Sequence, residues 1–278
     1  MSSKPEALAE FLRSRRAQVR PEDVGLPAEP GRRVRGLRRS EVAQLANISE
    51  QYYIRLEQGK THQPSYSVLA GLVAAFALDE YEASYFYKLA VPAPPTLEAA
   101  STAPLSKLVT QLVADRSDLP VLVTDRNQDV LLINSLGSAL LPALRPGINV
   151  VEMVFATPRE RREIAAWKNA ARQAVAALRF SADPSDPRLQ QIVGGLSVRD
   201  SDFRALWADQ HARPFESGVA PVLVEGFGSG EVEWHTLDIP GGYFLIAYLA
   251  TPNTFSGAVI DFLRQRLTPK PDSTADVA

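Results

Sequence analysis

The sequence contains no cysteine and only three histidines among its 278 residues. The absence of cysteine excludes disulfide bonds, thiolate zinc sites, a cysteine nucleophile and redox sensing through thiols. The chain also lacks any apolar run close to the roughly 20 residues that a membrane-spanning helix needs. Its first residues, MSSKPEALAEF, show no apolar signal-peptide core. We therefore expect a cytoplasmic protein without a membrane partner.

Recognisable catalytic machinery is also missing from the sequence. It contains no GxSxG elbow, no P-loop, no HExxH pair and no dinucleotide GxGxxG fingerprint. The imidazoles are those of His62, His211 and His235. His211 lies at the predicted end of a helix, where the helix dipole would stabilise its cation. We therefore expect no enzyme activity, no catalytic residue, no metal site and no cofactor.

The most informative stretch is residues 36–60, GLRRSEVAQLANISEQYYIRLEQGK, which predicts two short helices joined by a tight turn. Apolar residues recur at helical spacing in the first helix and give it a narrow inward stripe. Asn47 stands where the chain must turn left-handed, which asparagine tolerates better than any residue except glycine. Ser49 is a suitable N-cap for a second helix over residues 50–58, and Gly59 is placed to end it.

The second of these helices is expected to present a polar face outward, because Tyr53 and Leu56 should face inward. In a major groove, glutamine can bond adenine, arginine can bond guanine and glutamate can accept from cytosine, while an aliphatic side chain can touch a thymine methyl. The predicted base contacts are Glu50, Gln51, Ile54, Arg55 and Gln58. The alternative interpretation is a solvated helix face on an all-helical adaptor domain.

Positive charge gathers around this motif. Residues 1–60 carry 12 lysines and arginines against 8 acidic residues, whereas residues 91–278 carry 17 against 21. Four arginines lie between Arg13 and Arg20, in or just after the first predicted helix, and phosphate is their natural partner too. Cationic side chains bind phosphate regardless of base sequence and fix the register of a protein on DNA. The predicted phosphate contacts are Arg32, Arg33, Arg35, Arg38, Arg39, Ser49 and Lys60.

This arrangement resembles the MmyB-like transcription regulators of the XRE helix-turn-helix class. The resemblance rests on residues 36–60, on LAEFLRSRRAQVRPEDVGLP before them and on PSYSVLAGLVAAFALDEYEASYFYKLA after them. It continues through VLLINSLGSAL, the segment ending ALRF and SDFRALWADQHA. Family members usually have glycine where this chain has Asn47 and often a glutamate in place of Ser40. A tryptophan often precedes their equivalent of Asn134, and this chain lacks it. The resemblance implies a DNA-binding domain followed by a PAS-like domain for a small, largely apolar ligand such as a fatty acid.

We expect a multidomain fold. An all-α, five-helix helix-turn-helix domain of the XRE type is predicted over residues 1–90, and a linker over residues 91–104 because VPAPPTLEAASTAP contains four prolines. An α+β PAS-like ligand-binding domain of the MmyB type is predicted over residues 105–267, and a flexible tail over residues 268–278.

The predicted second domain contains an antiparallel sheet with helices on one face. Its strand-like runs are residues 120–125, 130–134, 219–227, 231–239 and 243–250. Residues 228–230 and 240–242 are predicted to form turns between the last three strands. Helical patterns cover residues 148–180, 186–211 and 254–267.

Six large aromatic side chains in this region could line a ligand pocket, although ordinary core packing would also explain each of them. They are Trp167, Phe203, Trp207, Trp234, Tyr243 and Phe244.

The whole pattern predicts a sequence-specific, DNA-binding transcriptional regulator that senses a small, apolar, fatty-acid-like ligand and acts as a homodimer on double-stranded DNA. Two linked readers would match a palindromic operator. The alternative is a helix-turn-helix protein-interaction module without specific DNA binding. A steep loss of binding as salt rises would favour DNA.

Overall fold

The computed structural model describes residues 3–27, 32–60, 63–91, 105–115, 118–158 and 165–268. Contacts divide these residues into two compact units. The described residues below position 92 group with Ala171–Pro214 in the first unit, and the other described residues form the second. The segment 171–214 therefore packs with the N-terminal helices, although it lies within the predicted second domain. The predicted domains are continuous stretches of sequence, and their boundaries stay a prediction. His62, most of the predicted linker and most of the predicted tail lie outside the described residues.

The N-terminal segment contains the five expected helices. They are α1 (Lys4–Gln18), α2 (Arg39–Leu45), α3 (Glu50–Glu57), α4 (Tyr66–Ala75) and α5 (Glu80–Ala90), with a short 3-10 helix at Pro21–Val24. Ser49, Ser65 and Asp79 cap the starts of α3, α4 and α5 by accepting backbone N–H bonds. The all-α fold predicted for this region is confirmed.

The later elements alternate short helices and strands. In chain order they are α6 (Lys107–Asp115), β1 (Val121–Thr124), β2 (Val130–Ile133), α7 (Ser135–Leu140), α8 (Val150–Phe155), α9 (Ala165–Ser181), α10 (Pro187–Arg199), α11 (Ser201–Ala208), β3 (Ser217–Val224), β4 (Gly228–Ile239), β5 (Tyr243–Tyr248) and α12 (Phe255–Leu267). The helical pattern expected over residues 186–211 is divided at Asp200. Its carboxylate accepts from the N–H groups of Asp202 and Phe203, both at 3.0 Å, and so starts a new helix.

The core of the first unit forms where α1 crosses α5. Phe11 of α1 is fully buried, and its ring lies 5.7 Å from those of Tyr85 and Phe86. An ion pair between Arg15 and Glu82, with an N–O distance of 2.7 Å, joins the same two helices at the edge of this core. The aromatic residues of α5 therefore serve mainly as core, as the sequence pattern favoured.

The segment from Ala171 to Pro214 is attached to the N-terminal helices by charged and polar contacts. Lys88 of α5 donates to the carbonyls of Phe180 and Ser181 at 2.7 Å, where α9 ends and its backbone acceptors lack helical partners. Arg213 pairs with Asp79, with an Nη1–Oδ1 distance of 2.5 Å. Lys88 therefore places a cation at the C-terminal end of α9, where the helix dipole favours it, and Arg213 pairs with the carboxylate that caps α5.

The second unit is built on a five-stranded antiparallel sheet in the order β2-β1-β5-β4-β3. The antiparallel α+β architecture is confirmed. Leu122 and Ile246 belong to the face that packs with α7 and α12, whereas Val121 and Val123 belong to the opposite face and pack with Val113 of α6. The prediction that helices cover only one face of the sheet was therefore wrong. The reason is visible in β1, VLVT, which is buried at every position and therefore needs cover on both sides.

The predicted turn at residues 228–230 is also wrong. These residues begin β4 and pair with Val222–Val224, and the chain turns just before them, where Gly226 has a φ of 80°. Gly230 is needed for packing, because a Cβ there would lie 2.5 Å from the ring of Phe255 at the start of α12. The second predicted turn is confirmed, since Gly241 and Gly242 have φ angles of 101° and 79°.

Candidate DNA-binding surface

The turn between α2 and α3 has the predicted geometry. Asn47 adopts the left-handed conformation with a φ of 53°, and the N–H of Ile48 donates to the carbonyl of Ala43 at 2.9 Å. The Ser49 hydroxyl accepts from the N–H of Tyr52 at 3.2 Å. Gly59 follows α3 with a φ of 66°. Short polar side chains and one glycine therefore define where α3 begins and ends.

Burial of one side of α3 fixes which residues face outward. Tyr53 and Leu56 are buried in the core of the first unit, with exposed fractions of 0% and 1%. On the opposite side the predicted base-contacting residues lie together. Glu50, Gln51, Arg55 and Gln58 are exposed, and Ile54 is half-buried beside them.

The arginines before α2 divide into two groups. Arg33, Arg35, Arg38 and Arg39 have exposed side chains, and so does Lys60 after α3. Arg32 instead forms a two-pronged ion pair with Glu41 at 2.7 and 2.5 Å, and donates to the carbonyl of Gly36 at 2.8 Å. The hydrogen bonds from Arg32 hold the pKa of Glu41 below its usual range. Arg32 therefore fastens the loop to α2.

The arginines in and just after α1 also have partners within the protein. Arg15 pairs with Glu82, Arg20 pairs with Asp23, and Arg16 pairs with Glu57. Their positions in the sequence gave no indication of these partners, because each acid lies on another element or beyond the end of α1.

Glu57 supports the candidate DNA-binding surface from inside the protein, and the sequence analysis did not identify this role. Its side chain is 2% exposed, and its carboxylate accepts from Nε of Arg16 at 2.5 Å and from Nε of Arg39 at 2.7 Å. Burial opposes its ionisation, but the hydrogen bonds from Arg16 and Arg39 outweigh burial and lower its pKa. Arg13 also donates to the Glu57 carbonyl at 2.6 Å. The available signal was its spacing: Glu57 lies four residues after Tyr53, on the inward side of α3.

The six aromatic residues predicted to line a ligand pocket do not share one site. Phe203 and Trp207 stack in the first unit with ring centroids 5.8 Å apart. Trp167 meets Phe155 edge to face in the second unit, and its indole N–H donates to the Val154 carbonyl at 3.0 Å.

The remaining three belong to the sheet. Trp234 stacks on Phe215 at 4.0 Å. Tyr243 packs with the cluster around Val121 and Val123, while Phe244 follows it in β5 and points to the other face. Alternation along β5 and the division into units therefore distribute the six side chains over different parts of the structure, and their contact with a ligand stays a prediction.

His211 also differs from its predicted state. Burial lowers its pKa, and the neighbouring Arg213 lowers it further. The neutral imidazole is therefore favoured over the cation that a helix end would stabilise. His235 is exposed and lies 3.1 Å from a Glu233 oxygen.

Comparison with known families decides the assignment of the chain. A family model described as the MmyB-like transcription regulator ligand binding domain matches residues 105–262, which is more than half of the chain. The chain belongs to the MmyB-like transcription regulators. A helix-turn-helix domain model matches residues 7–85, the region of α1 to α5. No curated protein matches the chain.

As an MmyB-like regulator, the protein combines a helix-turn-helix region with a ligand-binding region, which identifies a transcription regulator with ligand sensing. The resemblance predicted from the sequence is confirmed. Proteins of this class are typically not enzymes. No helix in the described part of the chain has the length and apolar character needed to cross a membrane.

Proposed function

We propose that this MmyB-like regulator binds specific DNA sequences by placing α3 in a major groove. The observation that carries the proposal is the outward face of α3, where Gln51, Arg55 and Gln58 are exposed opposite the buried Tyr53 and Leu56. A helix of about 10 to 12 Å diameter fits a major groove, and these side chains can bond base edges there. Glu50 and Ile54 border the same face and complete the set of base contacts.

The exposed cations around α3, together with the hydroxyl of Ser49, would hold the phosphates. The cations are Arg33, Arg35, Arg38, Arg39 and Lys60. Arg39 is the best prepared of them, because Glu57 holds its Nε while half of its side chain remains exposed. Arg32 is the least available, because its guanidinium is occupied by Glu41 and loop carbonyls. Phosphate contacts of this kind give affinity and register, and the α3 face gives specificity.

The proposed regulator acts as a homodimer on a palindromic operator, with half-sites about one helical turn apart. It remains in the cytoplasm with its DNA. A small, apolar, fatty-acid-like molecule bound by the ligand-binding region would change operator affinity by its differential affinity for two arrangements of the protein.

Selection from a random pool of DNA duplexes tests the proposal. The full-length protein is incubated with the pool at moderate salt, and the bound duplexes are sequenced over several rounds. We expect enrichment of a palindromic motif whose binding weakens steeply as salt rises. No enrichment, or binding insensitive to salt, would support a protein-interaction module instead.

A further inference from the structure

One face of the sheet in the second unit carries α6 over part of its width. α6 lies over the side formed by β2 and β1 and packs there through Val109 and Val113. Paired residues of neighbouring strands point to the same face. Val123 of β1 pairs with Leu245 of β5, and Leu245 pairs with Leu237 of β4. The face that α6 covers therefore continues across β5 to β4 and β3.

The part of this face formed by β4 and β3 is open to solvent. Leu237 is 63% exposed, and Val219 and Leu223, which the register of β3 places on the same face, are 53% and 75% exposed. Glu231 and Glu233 of β4 are exposed beside them. Large apolar side chains exposed together mark an interaction site. We call these five residues the exposed sheet surface.

The helix on the same face also presents apolar side chains to solvent. Leu108 and Leu112 lie four residues apart on one side of α6 and are 65% and 53% exposed. Lys107, at the start of α6, is exposed as well. A helix raises the part of the sheet that it covers by about 10 Å. This face of the second unit is therefore a step, with leucines and a cation on the raised part, and apolar and acidic side chains on the lower part.

The free edge of β3 is poorly suited to pairing with another strand. β3 is the last strand of the described sheet, and the N–H of Thr236 donates to the Glu216 carbonyl at 2.7 Å. Alternate residues of β3, beginning with Glu216, therefore bond to β4, and those between them direct their backbone groups to the free edge. Pro221 is one of these, and it has no N–H to donate there. A partner is thus expected on the face of the sheet and not along its edge.

We propose that the exposed sheet surface binds α6 of a second copy of this chain. A rotation of 180° about an axis along the strands, midway between two facing sheets, places the raised part of each copy on the lower part of the other. Leu108 and Leu112 then pack on the apolar side chains of the exposed sheet surface, and Lys107 lies beside its acids. The contact is isologous, so that every pair occurs twice. This inference rests on the proposed homodimeric regulator and names the surface through which its subunits meet.

The size and charge of the surface favour this two-fold contact over a smaller partner. β3 is 8 residues long, so a strip two strands wide covers only about 250 Å² in plan. A stable interface buries about 800 Å² on each partner. The two-fold arrangement enlarges the contact, because each copy contributes both its exposed sheet surface and its α6. It also pairs opposite charges, and the interface residues are separate from α3 and the cations beside it.

Sedimentation velocity of the full-length protein without DNA tests the interface. We expect a dimer with a dissociation constant below about 10 μM. Leu223→Glu and Leu237→Glu should each raise that constant by about 100-fold or more, because a carboxylate would be buried against an apolar partner. Both positions are exposed in the single chain, and circular dichroism checks that the variants fold.

Val198→Glu is the matched control, since Val198 is 85% exposed on α10 in the first unit. It should leave the dissociation constant within about twofold of wild type. A monomeric wild type would overturn the proposal and leave the exposed sheet surface to a different protein. A dimer that persists in Leu223→Glu and Leu237→Glu would also overturn it, because the subunits would then meet elsewhere.

An exchange of charges tests whether α6 of a second copy is the occupant. Lys107→Glu and Glu233→Lys should each weaken dimerisation by about tenfold or more, and the two substitutions together should restore it to within about threefold of wild type. Asp238→Lys is the control, because Asp238 is an exposed acid of β4 on the opposite face. Failure of the combined variant to recover would contradict the assigned pairing.

The outcomes separate this interface from the proposed DNA binding. A dimer that selects no DNA sequence would leave the interface intact and refute the DNA-binding function. A monomer that selects a single motif without two-fold symmetry would refute the interface and leave α3 as the reading helix.

Discussion

At the scale of single residues, Glu57 has the largest influence on the candidate DNA surface. It lies on the reading helix but faces the protein, where its buried carboxylate serves Arg16 and Arg39 at once. One anion shared by two guanidinium groups leaves net positive charge beside α3. Arg39 is half-exposed, so the surplus charge is directed to solvent, where a phosphate could approach.

Replacing Glu57 should therefore destabilise the first unit. We expect Glu57→Gln to lower the free energy of unfolding by about 2 kcal/mol, because Arg16 loses its counter-charge in a largely buried setting. Urea titration followed by circular dichroism measures the change. Gln58→Ala, at the neighbouring exposed position, is the control and should stay within about 0.5 kcal/mol of wild type. Indistinguishable behaviour of the two variants would refute the role given to Glu57.

Asp79 gives the protein a stability that depends on pH. The hydrogen bond from Arg213 lowers its pKa to about 2, below its usual value of 3.8. Its contribution is therefore fully present above the unfolded pKa and is lost as pH falls through the folded one. Between about pH 4 and pH 2, wild type should lose thermal stability more steeply than Asp79→Asn, which keeps a capping side chain but not the charge. If the melting temperatures of wild type and Asp79→Asn fell by the same amount over that pH range, this assignment would be contradicted.

At the scale of secondary-structure elements, the turn from α2 to α3 decides how α3 is presented. Asn47 holds a left-handed conformation in which most residues are strained. Asn47→Ala should lower the free energy of unfolding by about 1 kcal/mol, while Asn47→Gly, the residue usual in the family, should not lower it. Thermal melting of both variants, with exposed Gln44→Ala as control, measures the difference. A cost for glycine equal to that for alanine would show that the conformation is not the cause.

Local signals predicted the elements well where one residue sets a boundary. Asn47, Ser49 and Ser65 each have backbone chemistry that acts within a few residues, and the structure places them as expected. The face of α3 followed from its apolar spacing alone. The same reasoning failed at Gly230, where the glycine accommodates Phe255 from a distant helix rather than a turn.

Contacts distant in sequence account for most of what could not be predicted. The pairing of Arg179 with Gln210, and of Asp79 with Arg213, joins segments that no periodicity relates. A cavity of about 320 Å³ in the first unit depends on such contacts, because its wall draws on α1 and α5 as well as α9 to α11, including Arg179 and Trp207. The choice of large aromatic residues from the second half of the sequence therefore included Trp207 but not Arg179, whose guanidinium lies beside the Trp207 ring.

At the scale of the whole molecule, phosphate binding and base recognition are assigned to different residues. The net charge of the chain is −2, but DNA binding depends on how that charge is distributed. Exposed charges farther than about 8 Å from a phosphate are largely screened at physiological salt, so the local surface around α3 governs what DNA meets. Acidic residues farther than that distance from the bound phosphates therefore have little effect on DNA binding. Specificity should depend on the face of α3, and general affinity on the cations beside it.

The most direct test of this account compares Arg55→Ala with Arg33→Ala on the selected operator and on single-base variants of it. We expect Arg55→Ala to relax discrimination at particular base pairs by about 1 to 3 kcal/mol, and Arg33→Ala to weaken all sequences alike and reduce the salt slope by about 1. Arg145→Ala, an exposed arginine of the second unit, is the control. Unchanged base preference in Arg55→Ala would contradict the account, because α3 would then not be the helix that reads the DNA.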